Sequence, residues 1–169
     1  MKNFKLNEKD ILSNQDWTFP TTTYYGPGRF NEIAKFCEEF DIKNPLIVTD
    51  SGSKDLPFIK KLIALLSKNN IKSDLFYNIS PNPRDDEISK GCDQFKNGSH
   101  DSIIAIGGGS AMDGGKSICL TVNSETPLWD FEFEQPVPKI TKENAFPKII
   151  TVPTTAGTGA ETEITAMVT

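Results

Sequence analysis

The feature that most constrains this chain is the stretch 102–116, SIIAIGGGSAMDGGK. Ile103, Ile104, Ala105 and Ile106 form an apolar run of the length of a strand buried on both faces. The run ends in Gly107, Gly108 and Gly109, and from Ser110 the pattern turns helical. Strand, glycine turn and helix N-terminus is an arrangement that holds anions in α/β proteins. Residues without Cβ let the backbone approach a ligand closely. The N–H groups of the first helical turn have no intrahelical partner and point at the anion. The aligned peptide dipoles add roughly 0.3–1 kcal/mol per negative group. Two better-defined phosphate motifs each miss at one position. G-x-G-x-x-G counted from Gly107 needs glycine where Met112 stands, and G-x-x-x-x-G-K-[ST] ending at Gly115-Lys116-Ser117 needs glycine where Ser110 stands. Ser110 and Asp113 also read as a capping box, which starts a helix but gives no reason for three successive glycines. The expectation is a phosphate-contacting loop.

The rest of the chain supplies a scaffold for that loop. Residues 1–17 are polar and read as a lead-in. Residues 18–28 are β-branched and aromatic and break at Gly26-Pro27-Gly28, a strand and turn whose start Pro20 marks as an edge. Phe30, Ile33, Ala34, Cys37 and Phe40 have helical spacing. PLIVTD at 45–50 is a second strand. Pro57 opens a helix that runs to about Asn69. A third strand covers 73–77, Pro81-Asn82-Pro83 is a rigid turn, and a helix over 85–97 ends at Gly98. After the central strand and its helix, which reaches about Val122, residues 123–146 read as a long loop with one turn near Trp129. KIITV at 148–152 is a fifth strand, PTTAGTGAE at 153–161 a second Gly/Thr-rich loop, and 162–169 alternates weakly toward strand. The order β-α-β-α-β-α-β-α-β predicts an α/β fold, a parallel sheet with helices on both faces. Ligands of such sheets sit beyond the carboxyl ends of the strands. Asp50-Ser51-Gly52, Pro81-Asn82-Pro83, 107–110 and 154–161 all fall there.

Composition narrows the classes. A length of 169 residues suits one domain, and 37% apolar with 24% charged residues suits a packed core. A net charge of −5 without a basic stripe argues against nucleic acid. No run of 18 apolar residues is present for a membrane span, and the N-terminal MKNFKLNEKD lacks the apolar centre of a secretory signal. Cys37, Cys92 and Cys119 are odd in number and far apart, which fits buried free thiols in a reducing cytoplasm rather than a metal set. His100, the one histidine, precedes the central strand at the end away from the glycine turn, and suits a surface or capping role.

Single residues leave alternatives open. Asp50 either accepts the two hydroxyls of an adenosine ribose, repelling a 2′-phosphate, or closes an Asp-Ser-Gly turn. Asn82 either offers its amide to a ligand or fills a rigid loop. Lys116 either reaches phosphate or is solvated, and Gly114 and Gly115 need a close neighbour, cofactor or protein. Thr154, Thr155 and Thr158 either bond ribose, phosphate or a nicotinamide amide, or serve a turn. Glu161 and Glu163 read as residues of a solvated strand end rather than as a catalytic pair.

Together, GGGSAMDGGKSI at 107–118, PTTAGTGAE at 153–161, PNP at 81–83, LIVTD at 46–50, HDSIIAIGGGS at 100–110 and LWDFE at 128–132 resemble the iron-containing (group III) alcohol dehydrogenases. Glycerol dehydrogenases and dehydroquinate synthases share that scaffold. The resemblance implies a Rossmann-like NAD(P)-binding α/β domain over residues 1–169, followed in the family by a helical metal-binding domain. It implies a dinucleotide over Gly108, Gly109 and Ser110, with Asp113 near the nicotinamide and Asn82, Thr154, Thr155 and Thr158 lining the cleft. It implies NAD rather than NADP through Asp50, a small alcohol or aldehyde as substrate, and a homodimer. Three departures stand out. Gly114 and Gly115 replace frequent alanines, implying a looser helix; Ala160 replaces a frequent serine; and Thr162-Glu163 puts an unusual carboxylate near the cofactor. The family holds Fe2+ or Zn2+ with an aspartate and histidines that lie beyond the matched stretch, and a single histidine cannot replace them. The expectation is therefore the cofactor half of a dehydrogenase, with no catalytic residue and no metal ligand of its own. The alternatives are a free-standing or split nucleotide-binding module that needs a partner chain, or a fragment of the glycerol dehydrogenase or dehydroquinate synthase kind.

Overall fold

The apolar runs become the strands of one parallel sheet. A computed structural model describes residues 15–18, 21–136, 138–139 and 145–169. In chain order the elements are β1 (Gln15–Thr18), β2 (Thr22–Tyr25), α1 (Ile33–Glu39), β3 (Pro45–Asp50), α2 (Pro57–Lys68), β4 (Asp74–Ile79), α3 (Asp85–Asn97), β5 (Ser102–Gly107), α4 (Gly109–Thr121) and β6 (Lys148–Pro153). The sheet order is β4-β3-β5-β6, parallel throughout. Chain order therefore reverses between β3 and β5. The loop after β3 leads toward one edge and the loop after β5 toward the other, which opens a crevice at their carboxyl ends.

Alternation along the central strands assigns the helices to the two faces. Leu46 and Val48 of β3 and Ile103 and Ala105 of β5 meet α3 and α4 through Ile88, Phe95, Met112 and Ile118. Ile47, Ile104 and Ile106 point the other way, onto Cys37 of α1 and Ile59, Leu62 and Leu66 of α2. Each of these fully buried isoleucines and leucines contributes about 1.5–3 kcal/mol. No helix among the described residues is long and apolar enough to cross a membrane.

Helix α4 lies closest to the sheet, and its paired glycines are the reason. A Cβ on Gly115 would stand 2.5 Å from Ala105 Cβ, and one on Gly114 would stand 2.6 Å from Ile79 Cδ1. The close neighbour is protein, not cofactor. The helix is seated more tightly than the looser one implied by the resemblance, with Ala111, Met112, Gly114, Gly115, Ser117, Ile118 and Cys119 buried along it.

The structure departs from the sequence reading in several places. The first strand does not join the parallel sheet. Residues 15–18, expected as the end of a lead-in, pair antiparallel with Thr22–Tyr25 in a separate hairpin. In the Thr-Thr-Tyr-Tyr run Thr22 and Tyr25 are exposed and Thr23 and Tyr24 only half-buried, whereas an interior parallel strand needs both faces apolar. Pro20 and residues 1–14 lie outside the described residues. The helix expected from residue 29 opens as a 3-10 turn, Arg29–Glu32. Near Trp129 the long loop makes one such turn, Leu128–Phe131; residues 137 and 140–144 lie outside the description. Residues 162–169 form no strand. Helix α4 starts at Gly109 with Gly108 as its cap and no side-chain cap. Ser110 thus lies inside the first turn and the capping-box reading does not hold. His100 is buried rather than at the surface. Nδ1 sits 2.9 Å from the carbonyl of Asn44 and Nε2 3.4 Å from Asp74 Oδ2, so it ties the starts of three strands together.

Two outcomes are expected from this packing. Gly115→Ala should lower stability by about 1–3 kcal/mol through overpacking against Ala105, although alanine favours a helix by about 1 kcal/mol over glycine. Urea unfolding decides it, and a stabilised variant would contradict the contact. Burial pushes the Cys119 thiol up to about 12 and, with Asp101's charge adding to it, the Cys37 thiol up to about 11. A thiol raised in the folded state favours folding below its ordinary range, near 8.5, and that advantage is lost as pH rises toward the folded values. Alkylation at pH 8 should reach Cys37 and Cys119 only in denaturant, and rapid labelling in native buffer would refute their burial.

Candidate functional site

The crevice between the ends of β3 and β5 gathers the four stretches expected there. Thr49 donates from its hydroxyl to the carbonyl of Ile106 at 2.7 Å and locks the two strand ends together. Asp50 follows. Its Oδ1 accepts from the Gly52 N–H at 3.0 Å and its Oδ2 from the Ser53 hydroxyl at 2.7 Å. Both readings of Asp50 are thereby compatible. The carboxylate closes a turn and keeps lone pairs for further donors. It also borders the glycine turn, because a Cβ on Gly107 would stand 3.2 Å from Asp50 Oδ2.

The three glycines are not equivalent. Gly107 has φ 149°, and a Cβ there would meet Ala111 Cβ at 2.7 Å, so the turn itself demands glycine. Gly108 is extended, at φ −78° and ψ −175°, and Gly109 is the first helical residue. A Cβ on Gly108 would stand 3.5 Å from its nearest neighbour, Thr155 Oγ1. A Cβ on Gly109 would stand 3.6 Å from Thr158 Cγ2. Both are ordinary van der Waals distances, and neither backbone conformation excludes a side chain. The protein's own packing explains Gly107 and leaves Gly108 and Gly109 unexplained. The space their missing side chains would fill lies at a helix N-terminus, where unpaired N–H groups favour an anion.

The second loop is tied to the first. Thr154 N donates to Gly107 O at 2.9 Å, and Thr155 and Thr158 flank Gly108 and Gly109. The third stretch joins through Ser110, whose hydroxyl donates to Pro81 O at 2.6 Å. Asn82 is exposed beside it. Sequence reasoning missed the group that holds this turn. Glu87 is buried, and its Oε2 accepts from Ser80 N at 3.1 Å, Ser80 Oγ at 3.0 Å and Arg84 N at 3.1 Å. Its Oε1 meets Arg84 Nη2 at 3.2 Å. The available signal was an acidic residue three places after the helix cap.

Other candidates fall elsewhere. Lys116 does not face the glycine turn; its Nζ sits 3.3 Å from Asp113 Oδ1 and donates to backbone carbonyls of 160–165. Asp113 accordingly faces Lys116. Glu161 and Glu163 are not a pair. Glu161 lines a cavity of about 700 Å³ between the hairpin and β6, with its Oε2 buried, while Glu163 is exposed beside Gly159. Among the described residues no group of three or more His, Cys, Asp or Glu converges as a metal site.

A doubly wound parallel sheet with a glycine turn and a helix N-terminus at its switch point defines a Rossmann-like α/β domain. A family model described as Iron-containing alcohol dehydrogenase matches residues 20–169. The chain belongs to the iron-containing alcohol dehydrogenase family, and its fold is that of the family's N-terminal domain. It is 30% identical over 148 residues to the 1,3-propanediol dehydrogenase of Klebsiella pneumoniae, covering 86% of this chain and 37% of that protein. It is 31% identical over 166 residues to the choline dehydrogenase of Bacillus subtilis (strain 168), covering 97% and 41%. The crystal structure of a 1,3-propanediol oxidoreductase superposes with a TM-score of 0.73 at 31% identity, over 80% of this chain and 34% of that one. A sulfoacetaldehyde reductase from Bifidobacterium kashiwanohense in complex with NAD+ gives 0.69 at 27%, over 81% and 35%. The chain thus spans little more than a third of the length of these relatives.

Glu87→Gln should loosen the Ser80–Arg84 clamp. A charge-assisted acceptor becomes a neutral one, and about 1–3 kcal/mol of stability is lost. Amide exchange at Ser80 and Arg84 should rise with it. Unchanged exchange at both would show that the carboxylate does not hold the turn.

Proposed function

We propose that this chain binds NAD and is the cofactor-carrying half of an alcohol dehydrogenase that interconverts a small alcohol and its aldehyde. The observation that carries the reading is that neither packing nor backbone strain requires glycine at Gly108 or Gly109, which lie against Thr155 and Thr158 at the N-terminus of α4. A pyrophosphate there meets the first-turn N–H groups. Asp50 at the end of β3 accepts the adenosine ribose hydroxyls and disfavours a 2′-phosphate. Asn82, Ser110, Thr154 and Asp113 complete the wall in this reading. When bound, the nicotinamide supplies the hydride chemistry; the residues here bind and orient it. The sulfoacetaldehyde reductase of the same fold is in complex with NAD+, which supports a dinucleotide as the ligand.

The metal is a different matter. An open metal site takes about three protein ligands. The described residues assemble no such group, and His100 lies at the amino end of β5, away from the crevice. These residues do not fit Fe2+ or Zn2+, so we assign the ion and the substrate pocket to residues outside this chain. The chain alone is then expected to bind cofactor without turnover. Homodimerisation is part of the same family reading, and a reducing cytoplasm is the compartment that suits three free cysteines.

Titration with NADH and NADPH, followed by nucleotide fluorescence, tests the reading. NADH should bind at least about tenfold more tightly, the effect of one or two charged hydrogen bonds. Asp50→Asn should erase most of that preference. Equal or tighter NADPH binding by the unaltered chain would overturn the role of Asp50, and binding of neither would overturn the site.

A further inference from the structure

We propose that Lys116 is a positioning residue that sets Thr158 over the glycine turn. The inference rests on the dinucleotide reading of that turn. Lys116 stands two helical turns into α4, with its side chain only 15% exposed. Its ammonium meets Asp113 Oδ1 at 3.3 Å and donates to the carbonyls of Ala160 at 3.0 Å, Glu163 at 3.5 Å and, more closely, Thr165. Three carbonyls and a carboxylate around one nitrogen use the three N–H donors of an ammonium in full and suit it better than a planar guanidinium.

The carbonyls belong to the segment that leaves the threonine-rich loop. Ala160 is buried, and its N–H donates to Thr158 Oγ1 at 3.4 Å. Thr158 in turn lies over Gly109, the first residue of α4. The contacts close a circuit that starts and ends on one helix, running from Gly109 to Thr158, Ala160 and Lys116. The segment is also held by turn bonds from Thr162 and Glu163 back to Gly159 O, by the Thr151 hydroxyl donating to Glu161 O at 3.1 Å, and by the place of Ala160 in the core. Gly157 and Gly159, at φ 98° and 71°, sit in the left-handed region that glycine favours. Nothing stands within 4 Å of a Cβ built on Gly157. A loop of that kind gets its register from its anchors, and among these Lys116 is the one that gathers three carbonyls at once. Lys116 therefore acts on the nucleotide site through Thr158, not by reaching phosphate itself.

The test uses the full chain with Lys116→Met, Lys116→Arg, Thr158→Ala and the two double variants. Nucleotide-free amide exchange at Ala160 and NADH titration are both read. Lys116→Met should speed exchange at Ala160 and weaken NADH binding about tenfold, a loss on the scale of charged hydrogen bonds. In the Thr158→Ala background the same change should weaken NADH by less than about threefold, since coupled residues are non-additive. Lys116→Arg, which keeps the charge but meets fewer of the carbonyls, should fall between wild type and Lys116→Met. It carries the comparison alone if the methionine variant does not fold. Unchanged exchange at Ala160, or equal NADH losses in both backgrounds, would overturn the inference. If the unaltered chain binds no NADH, the dinucleotide reading falls, and exchange at Ala160 still decides whether Lys116 positions Thr158.

Discussion

The contact between Gly115 and Ala105 governs the height at which α4 rides on the sheet. An ordinary helix is held off a sheet by the side chains between them. Here two adjacent glycines remove that spacer, and Ile79 and Ala105 move into the gap. Each glycine costs the helix about 1 kcal/mol relative to alanine. The return is dispersion contact over a face that holds Met112 and Ile118 in the core. The close seating also fixes where the helix begins. Gly109 follows Gly107, the last residue of β5, with one residue between, so the N–H groups of the first turn emerge at the rim of the sheet. A helix standing farther off would need a longer connection and would aim its dipole past the crevice.

The rest of the site depends on that fixed start. Strand order β4-β3-β5-β6 separates the loops after β3 and β5, and Thr49 pins the divergence by bonding Ile106 O. Thr154 N then binds Gly107 O, which carries the loop after β6 over the same rim. Ser110 reaches Pro81 O and brings in the loop after β4. Four loops from four strands are thus joined by hydrogen bonds that all begin on or beside the glycine turn. The helix supplies the anchor, and the loops inherit its position.

Much of this was legible in the sequence because it is local. The runs LIVTD and SIIAI are apolar on both faces, and that alone specifies interior parallel strands. Glycine turns and proline turns mark the loops for equally local reasons. What escaped was long-range. Glu87 could be read as a helix-start residue, but its bonds to Ser80 join a strand end to a helix. Lys116 looked able to reach phosphate because a sequence shows its distance from the glycines and not the carbonyls of 160–165 beside it. Gly114 and Gly115 suggested a looser helix, since the residues they accommodate, Ile79 and Ala105, are on other elements. The hairpin was misassigned because aromatic and threonine content signals a strand without saying which sheet it joins. Its two threonines and two tyrosines lack the all-apolar character of an interior parallel strand, and none of the four is fully buried.

The turn that holds Asp50 would give the proposed preference for NAD a preformed acceptor. An ionised carboxylate offers about four lone-pair sites. On Asp50 one donor, the Gly52 N–H, occupies Oδ1 and another, the Ser53 hydroxyl, occupies Oδ2. Those bonds fix the plane of the carboxylate at the strand end and leave a site on each oxygen for a pair of vicinal hydroxyls. A carboxylate free to rotate would lose side-chain entropy on binding and could turn away from a phosphate. Held in a turn, it can do neither. The turn that looked like an alternative to the ribose-binding role proposed for Asp50 is therefore compatible with it, because the bonds that close the turn leave acceptor capacity on both oxygens.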